Sequence, residues 1–138
     1  MSSFVLHPQL AADSLLIREL PLCQLRLIND QQYPWFILVP RLEGARDIID
    51  LSWAEQRQLW HESAWLSHTM RSLYQPDKLN IAALGNMVPQ LHVHHIARQK
   101  NDMAWPAPVW GKFPAIAYTE QQYAQILDRW SDFIYTPE

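Results

Sequence analysis

The sequence predicts an α+β domain built on an antiparallel sheet. Three observations support this fold class: several short runs of β-branched and aromatic residues, a long amphipathic segment between two groups of these runs, and a second amphipathic segment close to the C-terminus. Runs that are separated by short turns are typical of antiparallel hairpins. A chain of 138 residues has the length of one domain, so we expect residues 1–138 to form a single folded unit.

The first strands are indicated by alternation and by turn residues. Residues 14–20 predict a short strand, and residues 22–28 alternate apolar and polar side chains, which is the pattern of a half-buried strand. Residues 29–34 have the composition of a turn. The run 35–39 is continuously apolar, which indicates a central strand covered on both faces.

A long helix is predicted after a loop at residues 41–50. Ser52 and Glu55 have the spacing of a capping box, in which two side chains bind two otherwise unpaired backbone amides. The helix should continue to about Tyr74, because residues 75–77 carry a proline and stop it. Its apolar face is predicted to consist of Leu59, Leu66, Met70 and Leu73, with Arg57, Glu62 and Arg71 off that face.

Two further strands and a second helix complete the prediction. Residues 78–84 and 91–97 read as strands, separated by a break at Gly85 and Asn86. Residues 99–114 contain three prolines and two tryptophans and are predicted to be an ordered loop. A C-terminal helical extension is expected at about residues 119–134, with Thr119 and Gln122 as its capping pair.

Composition excludes several classes of partner. The formal net charge is -3 and the basic residues are scattered, so we expect no binding to duplex nucleic acid. The first residues lack a basic region followed by a long apolar run, and no run is long enough for a membrane span. Cys23 is the only cysteine, which precludes an internal disulfide. We therefore expect a cytoplasmic protein without a membrane partner.

Three of the six histidines lie within four residues, at His92, His94 and His95. Because side chains alternate along a strand, Gln90, His92 and His94 should share one face, and His95 should lie on the other. Imidazole can act as a nucleophile, as an acid or base near neutral pH, and as a hydrogen-bond donor to phosphate. Two such groups on a rigid strand can contact one phosphate.

A metal site is the alternative interpretation of the same spacing. A His-x-His pair on a strand can hold zinc or iron. The candidates for a third ligand are Cys23, Asp102 and His7, and no spacing pattern ties any of them to the histidine pair.

The histidine segment resembles the histidine triad (HIT) motif, in which histidines alternate with apolar residues. Residues 90–96, Gln-Leu-His-Val-His-His-Ile, carry this likeness, and residues 33–41 resemble the central strand of the family. Residues 52–55 match the start of the family's helix, and Asn80 with the turn at residues 85–86 resembles its phosphate-contacting segment. The likeness covers a core at about residues 4–111, and its Tyr-Pro-Trp and Trp-Pro patterns resemble a bacterial HIT-like hydrolase branch.

The resemblance implies a hydrolase or transferase that acts on the α-phosphate of a nucleotide or nucleotide conjugate. His92 would attack phosphorus to form a nucleotidyl-histidine, and His94 would bind the phosphate and assist the leaving group. The cleaved bond would be a phosphoramidate, phosphoanhydride or phosphosulfate. No cofactor is expected, and family members form homodimers with a continuous sheet. Residues expected to contact substrate are Asn86, Gly85, Asn80, Asn29, Asp30 and Trp35, with Gln90 as a further catalytic-site residue.

Two departures from the family pattern bear on activity. Gln90 stands at the first triad position; glutamine forms hydrogen bonds but cannot carry a proton in catalysis. Trp35 stands on the central strand where many family members have another histidine. A non-catalytic nucleotide-binding module is therefore the alternative function, followed by a His-ligated metal enzyme. His95 is expected to be structural.

The chain contains seven tryptophans, of which two lie in the proline-rich loop. Trp105 and Trp110 are the two that could form a stacking wall for a base, since the others are expected in the core or at an interface. The segment 103–111 is predicted to close over the active site or a partner.

Overall fold

A computed structural model describes residues 3–137 of the chain. It contains one five-stranded sheet in the order β1-β2-β3-β5-β4, in which every neighbouring pair is antiparallel. The predicted α+β fold class is thereby confirmed. The strands are β1 (Ser14–Glu19), β2 (Cys23–Ile28), β3 (Trp35–Pro40), β4 (Lys78–Ala82) and β5 (Val93–Arg98).

Three α-helices accompany the sheet: α1 (Pro8–Asp13), α2 (Trp53–Tyr74) and α3 (Glu120–Ser131). Both predicted capping boxes are present at the N-termini of α2 and α3, where they pair otherwise free backbone amides. The predicted loop before α2 contains a short 3-10 turn at Ile48–Asp50. Within residues 3–137, no helix is both long and apolar enough to cross a membrane.

The two faces of the sheet have different partners. On one face, the apolar sides of α2 and α3 pack against β2 and β3 in the main core. Trp130 of α3 is 1 % exposed, and its ring lies 4.7 Å from that of Phe36 on β3. On the other face, a smaller cluster joins Leu10 of α1 to Ile37 and Val39. This second face is the one on which a cavity remains open.

The strands β4 and β5 are shorter than predicted. The last pair between them joins Ala82 to His94, so the expected extension of β4 to Leu84 is wrong. The amide of Leu91 donates to the carbonyl of Ala45 at 3.0 Å, outside the sheet. The expected start of β5 at Leu91 is therefore also wrong, because a loop competes for its backbone. His92 lies directly before the strand.

Glu62 corrects the predicted polar face of α2. It was expected to lie off the apolar face, yet it is fully buried. Its carboxylate accepts the backbone amides of Leu22 and Cys23 at 2.8 and 2.9 Å, and the Gln58 side-chain amide at 2.6 Å. Buried amides require an acceptor, and a charged one makes a strong bond. Glu62 thus ties α2 to the turn between β1 and β2.

Arg98, at the end of β5, organises the loop that follows. It is 2 % exposed, and its guanidinium donates to both carboxylate oxygens of Asp102 at 2.8 and 3.0 Å. It also donates to the Asn80 side chain and the Ala107 carbonyl, both at 2.9 Å. Asp102 in turn accepts the backbone amide of Trp105 at 2.7 Å. These bonds fasten residues 99–111 to the end of the sheet.

Replacement of Asp102 by alanine is expected to lower the free energy of unfolding by about 3–5 kcal/mol, because it leaves the Arg98 guanidinium buried without its counter-ion. Urea denaturation measures this change. The matched control is Glu19→Ala, which removes the partner of Arg41 in an ion pair whose carboxylate is 51 % exposed. Such pairs contribute about 0–1 kcal/mol, so equal losses for the two variants would contradict the assigned role of Asp102.

Candidate active site

A cavity of about 630 Å³ opens on the face of the sheet that carries α1. Its walls come from α1, the end of β2, the loop between β4 and β5, the histidine segment and the loop after β5. The lining residues include Leu10, Asp13, Asn29, Asp30, Trp35, Gly85, Asn86, Met87, Val88, His92, His94, Val109, Trp110 and Phe113. Most of the residues predicted to form the site are therefore together.

His92 is 8 % exposed, and its ring is held by a backbone carbonyl two residues earlier in the chain. Its Nδ1 lies 2.7 Å from the carbonyl oxygen of Gln90. A carbonyl only accepts, so Nδ1 carries the proton in this bond. The neutral ring then has its lone pair on Nε2. That is the tautomer required of a histidine that attacks through Nε2.

His94 carries the opposite tautomer. It is 5 % exposed, and its Nδ1 accepts the indole N–H of Trp35 at 2.9 Å. Indole nitrogen only donates, so the proton of neutral His94 must be on Nε2. Burial, together with the neighbouring imidazoles of His92 and His95, lowers the pKa of His94 to about 3. His94 is therefore a neutral ring with one N–H to offer.

The reach of Trp35 follows from the strand register. Ile37 pairs with His94 across β3 and β5, and Trp35 lies two residues before Ile37 on the same face. Diagonal neighbours of this kind are within reach of large aromatic side chains. The centroids of the Trp35 and His94 rings are 5.8 Å apart.

His95 lies on the opposite face of β5, against α2. Its Nε2 accepts from the Ser63 hydroxyl at 2.7 Å, while Nδ1 donates to the Val93 carbonyl at 3.1 Å. Burial lowers the pKa of His95 to about 4, although the bond to the Val93 carbonyl acts in the other direction. The ring is fully buried and does not line the cavity, in agreement with the structural role expected for it.

The loop between β4 and β5 presents backbone to the cavity. Gly85 has φ +81°, a conformation that side chains disfavour, and this turn brings Asn86 to the cavity wall. In the described part of the chain, the amides of Asn86, Met87 and Val88 have no hydrogen-bond partner. Unpaired amides at a cavity wall are suited to anionic oxygens.

The opposite wall is acidic and amide-bearing. Asp30 is 3 % exposed, and one of its carboxylate oxygens accepts the backbone amides of Gln32 and Ile116. The side-chain oxygen of Asn29 accepts the amide of Tyr118 at 2.8 Å. Both side chains are thus held in place by the chain around them while they line the cavity.

Two predicted site residues are not in this cavity. The side-chain oxygen of Gln90 accepts the amide of His7 at 2.8 Å, and its nitrogen donates to the Val5 carbonyl at 2.9 Å. Gln90 instead lines a neighbouring cavity of about 350 Å³ together with Arg46. The side chain of Asn80 is bound by Arg98, as described above.

The two loop tryptophans have different positions. Trp110 lines the cavity, and its ring meets those of His94 and Trp35 edge-on at 5.2 and 6.2 Å. Trp105 lies beside the Arg98 guanidinium, 5.6 Å from the ring centroid, and does not line the cavity. The predicted stacking wall is therefore limited to Trp110.

Sequence reasoning missed the contribution of α1 and of Phe113. Leu10 and Asp13 of α1 line the cavity, as does Phe113, while Val109 and Trp110 belong to the segment 103–111 that was expected near the active site or a partner. The signal for α1 was present, because Pro8 is favourable at the first helical position. Nothing in the local pattern indicated that this short helix would lie across the histidine face.

The candidate metal ligands do not converge. Among residues 3–137, no group of three or more histidine, cysteine or acidic side chains is arranged to hold a metal ion. Asp102 is bound by Arg98. Cys23 is fully buried, and burial together with the nearby Glu62 raises the pKa of its thiol. Neither lines the cavity with His92.

Comparisons with known proteins agree on one family. The family model for the HIT domain matches residues 9–101. A comparison with curated proteins gave no match. Among solved structures, a histidine triad protein from Marinobacter aquaeolei VT8 is 50 % identical, with a TM-score of 0.92 and coverage of 94 % of this chain and 95 % of that chain.

Two further solved structures are similar over almost their whole length. A histidine triad protein from Bradyrhizobium japonicum is 43 % identical, with a TM-score of 0.92 and coverage of 96 % of this chain and 98 % of that chain. One from Sinorhizobium meliloti 1021 is 37 % identical, with a TM-score of 0.93 and coverage of 97 % and 99 %. The family match and these likenesses show that the chain belongs to the histidine triad (HIT) family.

Proposed function

We propose that this protein is a nucleotidyl hydrolase or transferase that acts at the α-phosphate through a nucleotidyl-histidine intermediate on His92. The observation that carries the proposal is the bond from His92 Nδ1 to the Gln90 carbonyl at 2.7 Å. It leaves the Nε2 lone pair of a cavity-lining imidazole for attack on phosphorus. The match to the HIT family supports the same class of reaction.

The proposed role of His94 follows from its tautomer. Its Nε2–H would donate to an oxygen of the α-phosphate, beside the attacking ring of His92 at a centroid distance of 4.9 Å. The free amides of Asn86, Met87 and Val88 would bind further phosphate oxygens. Hydrogen-bond donors that are already in place stabilise charge in a transition state without reorganisation.

The remaining cavity wall has groups for a nucleoside. Trp110 and Phe113 offer apolar rings for a base, and Asp30 offers a carboxylate oxygen to ribose hydroxyls. In the described residues, no lysine or arginine lines this cavity. A phosphate inside this cavity would therefore be held by neutral donors, whereas Arg46 lines the neighbouring cavity, which also reaches His92.

Gln90 would act through its backbone carbonyl, which orients His92, while its side chain holds the N-terminal segment. Asn80 would act indirectly, since its side chain is bound to Arg98 at the end of β5. Neither side chain is proposed to touch the phosphate.

Replacing His92 by asparagine should lower nucleotide release by several orders of magnitude, because the nucleophile is lost. Chromatography of adenylyl and guanylyl anhydrides, phosphosulfates and phosphoramidates incubated without added metal measures this release. His68→Asn is the matched control, since His68 is exposed on α2 and outside the cavity. Full activity of His92→Asn would exclude the proposed intermediate.

A non-catalytic nucleotide-binding module is the second candidate, and the absence of a proton-carrying group at Gln90 favours it. Both candidates predict that nucleoside monophosphate stabilises the fold, by about 2.7 kcal/mol at 100 times the dissociation constant. Thermal unfolding of wild type and of His92→Asn with added nucleotide measures this. Stabilisation without turnover by wild type would establish the binding module, and absence of stabilisation would exclude both.

We also propose a homodimer that extends the sheet through β4. This strand is at one end of the sheet, and strand edges present unpaired backbone groups. Ile81 on β4 and Leu84 just after it are 44 % and 49 % exposed, and Trp53 and Trp60 on α2 are 81 % and 48 % exposed. Exposed apolar side chains of this size gain free energy when an interface buries them.

Sedimentation at micromolar concentration should give about twice the 16.2 kDa mass of one chain. Ile81→Lys should shift the protein towards monomer, because a charge then lies at the proposed junction. Leu16→Lys is the matched control on the opposite edge strand, where the leucine is 40 % exposed. A monomeric wild type, or equal effects of the two variants, would refute a dimer through β4.

A further inference from the structure

We propose that Trp35 is a positioning residue that makes His94 a permanent hydrogen-bond donor and prevents it from protonating a leaving group. On the basis of the proposed nucleotidyl transfer, the site then selects substrates whose leaving group departs as a stable anion. That class consists of nucleoside monophosphates joined to phosphate, polyphosphate or sulfate. Phosphoramidates of amines, which require a proton on nitrogen, are disfavoured.

The direction of one hydrogen bond decides whether His94 can act as an acid. To act as a general acid, His94 must be an imidazolium with protons on both nitrogens. Its Nδ1, however, lies 2.9 Å from the indole nitrogen of Trp35, which has a proton and no acceptor. Protonation would set two N–H donors against each other in a buried place. The bond would be lost and both groups would be left unsatisfied.

The surroundings of His94 do not offset this cost. The rings of His92 and Trp110 lie 4.9 and 5.2 Å away, and neither is negatively charged. The carboxylates of Asp13 and Asp30 line the same cavity, but within the described chain neither makes a hydrogen bond or ion pair with His94. On the core side of β5, His95 is engaged by Ser63.

The other polar side chains at the site do not replace the missing acid. Asp13 and Asp30 act as acceptors, from the Gln9 side chain and from backbone amides respectively. The amide of Gln90 is turned to the N-terminal segment. The proton on His92 Nδ1 is held by the Gln90 carbonyl. Across the part of the cavity that the structure describes, a proton donor of suitable acidity is therefore absent.

The chemical balance makes the leaving group decisive. The Nε2 lone pair of His92 forms the bond to phosphorus while the bond to the leaving oxygen breaks, and that oxygen keeps the electron pair. The Nδ1 proton stays in place, so the ring becomes positively charged. Water then attacks phosphorus, the P–N bond breaks with its electron pair returning to Nε2, and the extra proton of water passes to solvent. The leaving group receives no proton, so its stability as an anion sets the rate.

A series of aryl esters of adenosine monophosphate tests the selectivity, because their phenols differ in pKa while the nucleotide is constant. For wild type, kcat/KM should fall steeply as the pKa of the phenol rises. Trp35→Phe keeps an aromatic ring but removes the donor, so a proton on Nδ1 of His94 no longer faces another N–H group, and only burial and the neighbouring imidazoles still oppose it. General acid catalysis contributes roughly 10²–10⁴-fold to a rate. In this variant, kcat/KM for the ester with the poorest leaving group, divided by kcat/KM for the ester with the best, should therefore rise at least about tenfold.

Trp110→Phe is the matched control. Trp110 also meets the His94 ring edge-on, but its indole nitrogen has no hydrogen-bond partner among the described residues. This variant should retain the wild-type dependence on leaving-group pKa, whatever it does to KM. If the dependence is shallow in wild type, or is changed equally by both substitutions, the selectivity assigned to Trp35 is wrong.

Nitrogen-15 NMR of the imidazoles reads the tautomer without any turnover. In wild type, His94 should show a protonated Nε2 and an unprotonated Nδ1 across about pH 5 to pH 8, the range in which an ordinary histidine titrates. Trp35→Phe should show a mixture of the two neutral tautomers, because the donor that fixes Nδ1 as an acceptor is lost, and Trp110→Phe should not. An Nδ1-protonated His94 in wild type would overturn the inference. Absence of turnover by wild type would instead overturn the proposed function, and the leaving-group selectivity with it.

Discussion

The alternation of side chains along β5 is the constraint on which the rest of the structure depends. Because β5 is paired on both sides, by β3 and β4, its backbone has no freedom to rotate, and consecutive side chains must point to opposite faces. His94 consequently enters the cavity while His95 enters the core. A single strand thus supplies a cavity-facing group and a core group from adjacent positions. A slip of one residue would exchange them.

Each histidine is then given one chemical state by one neighbour. The Gln90 carbonyl at Nδ1 of His92 and the Val93 carbonyl at Nδ1 of His95 only accept, whereas the Trp35 indole at Nδ1 of His94 only donates. These partners therefore decide where the proton of each ring lies, although the three rings are chemically identical. Burial supports this assignment for the last two rings, because it lowers the pKa of each and keeps them neutral.

Those features that depend on local pattern could be predicted from the sequence. The capping boxes at Ser52 and Thr119 and the run of β3 are local signals, and they marked the elements correctly. The placement of His95 on the opposite face from His94 also follows from the strand period alone.

The bond from Trp35 to His94 could not be predicted, because it depends on the register between two strands that are distant in sequence. The position of the Gln90 side chain could not be predicted for a related reason. Gln90 lies before β5 begins, where alternation does not apply, and its side chain binds the N-terminal segment. Glu62 was placed by helical period off the apolar face, but the period does not show that unpaired amides of another turn lie there.

The hydrogen bonds between the Gln90 side chain and the N-terminal segment have a practical consequence for purifying this protein. Val5 and His7 are tied to the residue whose carbonyl orients His92, and His7 also caps the helix that forms one cavity wall. An affinity tag fused ahead of these residues would be tethered a few residues from the cavity that His92 lines. The last described residues have a different neighbour, since the Ile134 carbonyl accepts from Trp65 on α2, on the other side of the sheet. A purification tag is therefore better attached to the carboxyl end of the chain.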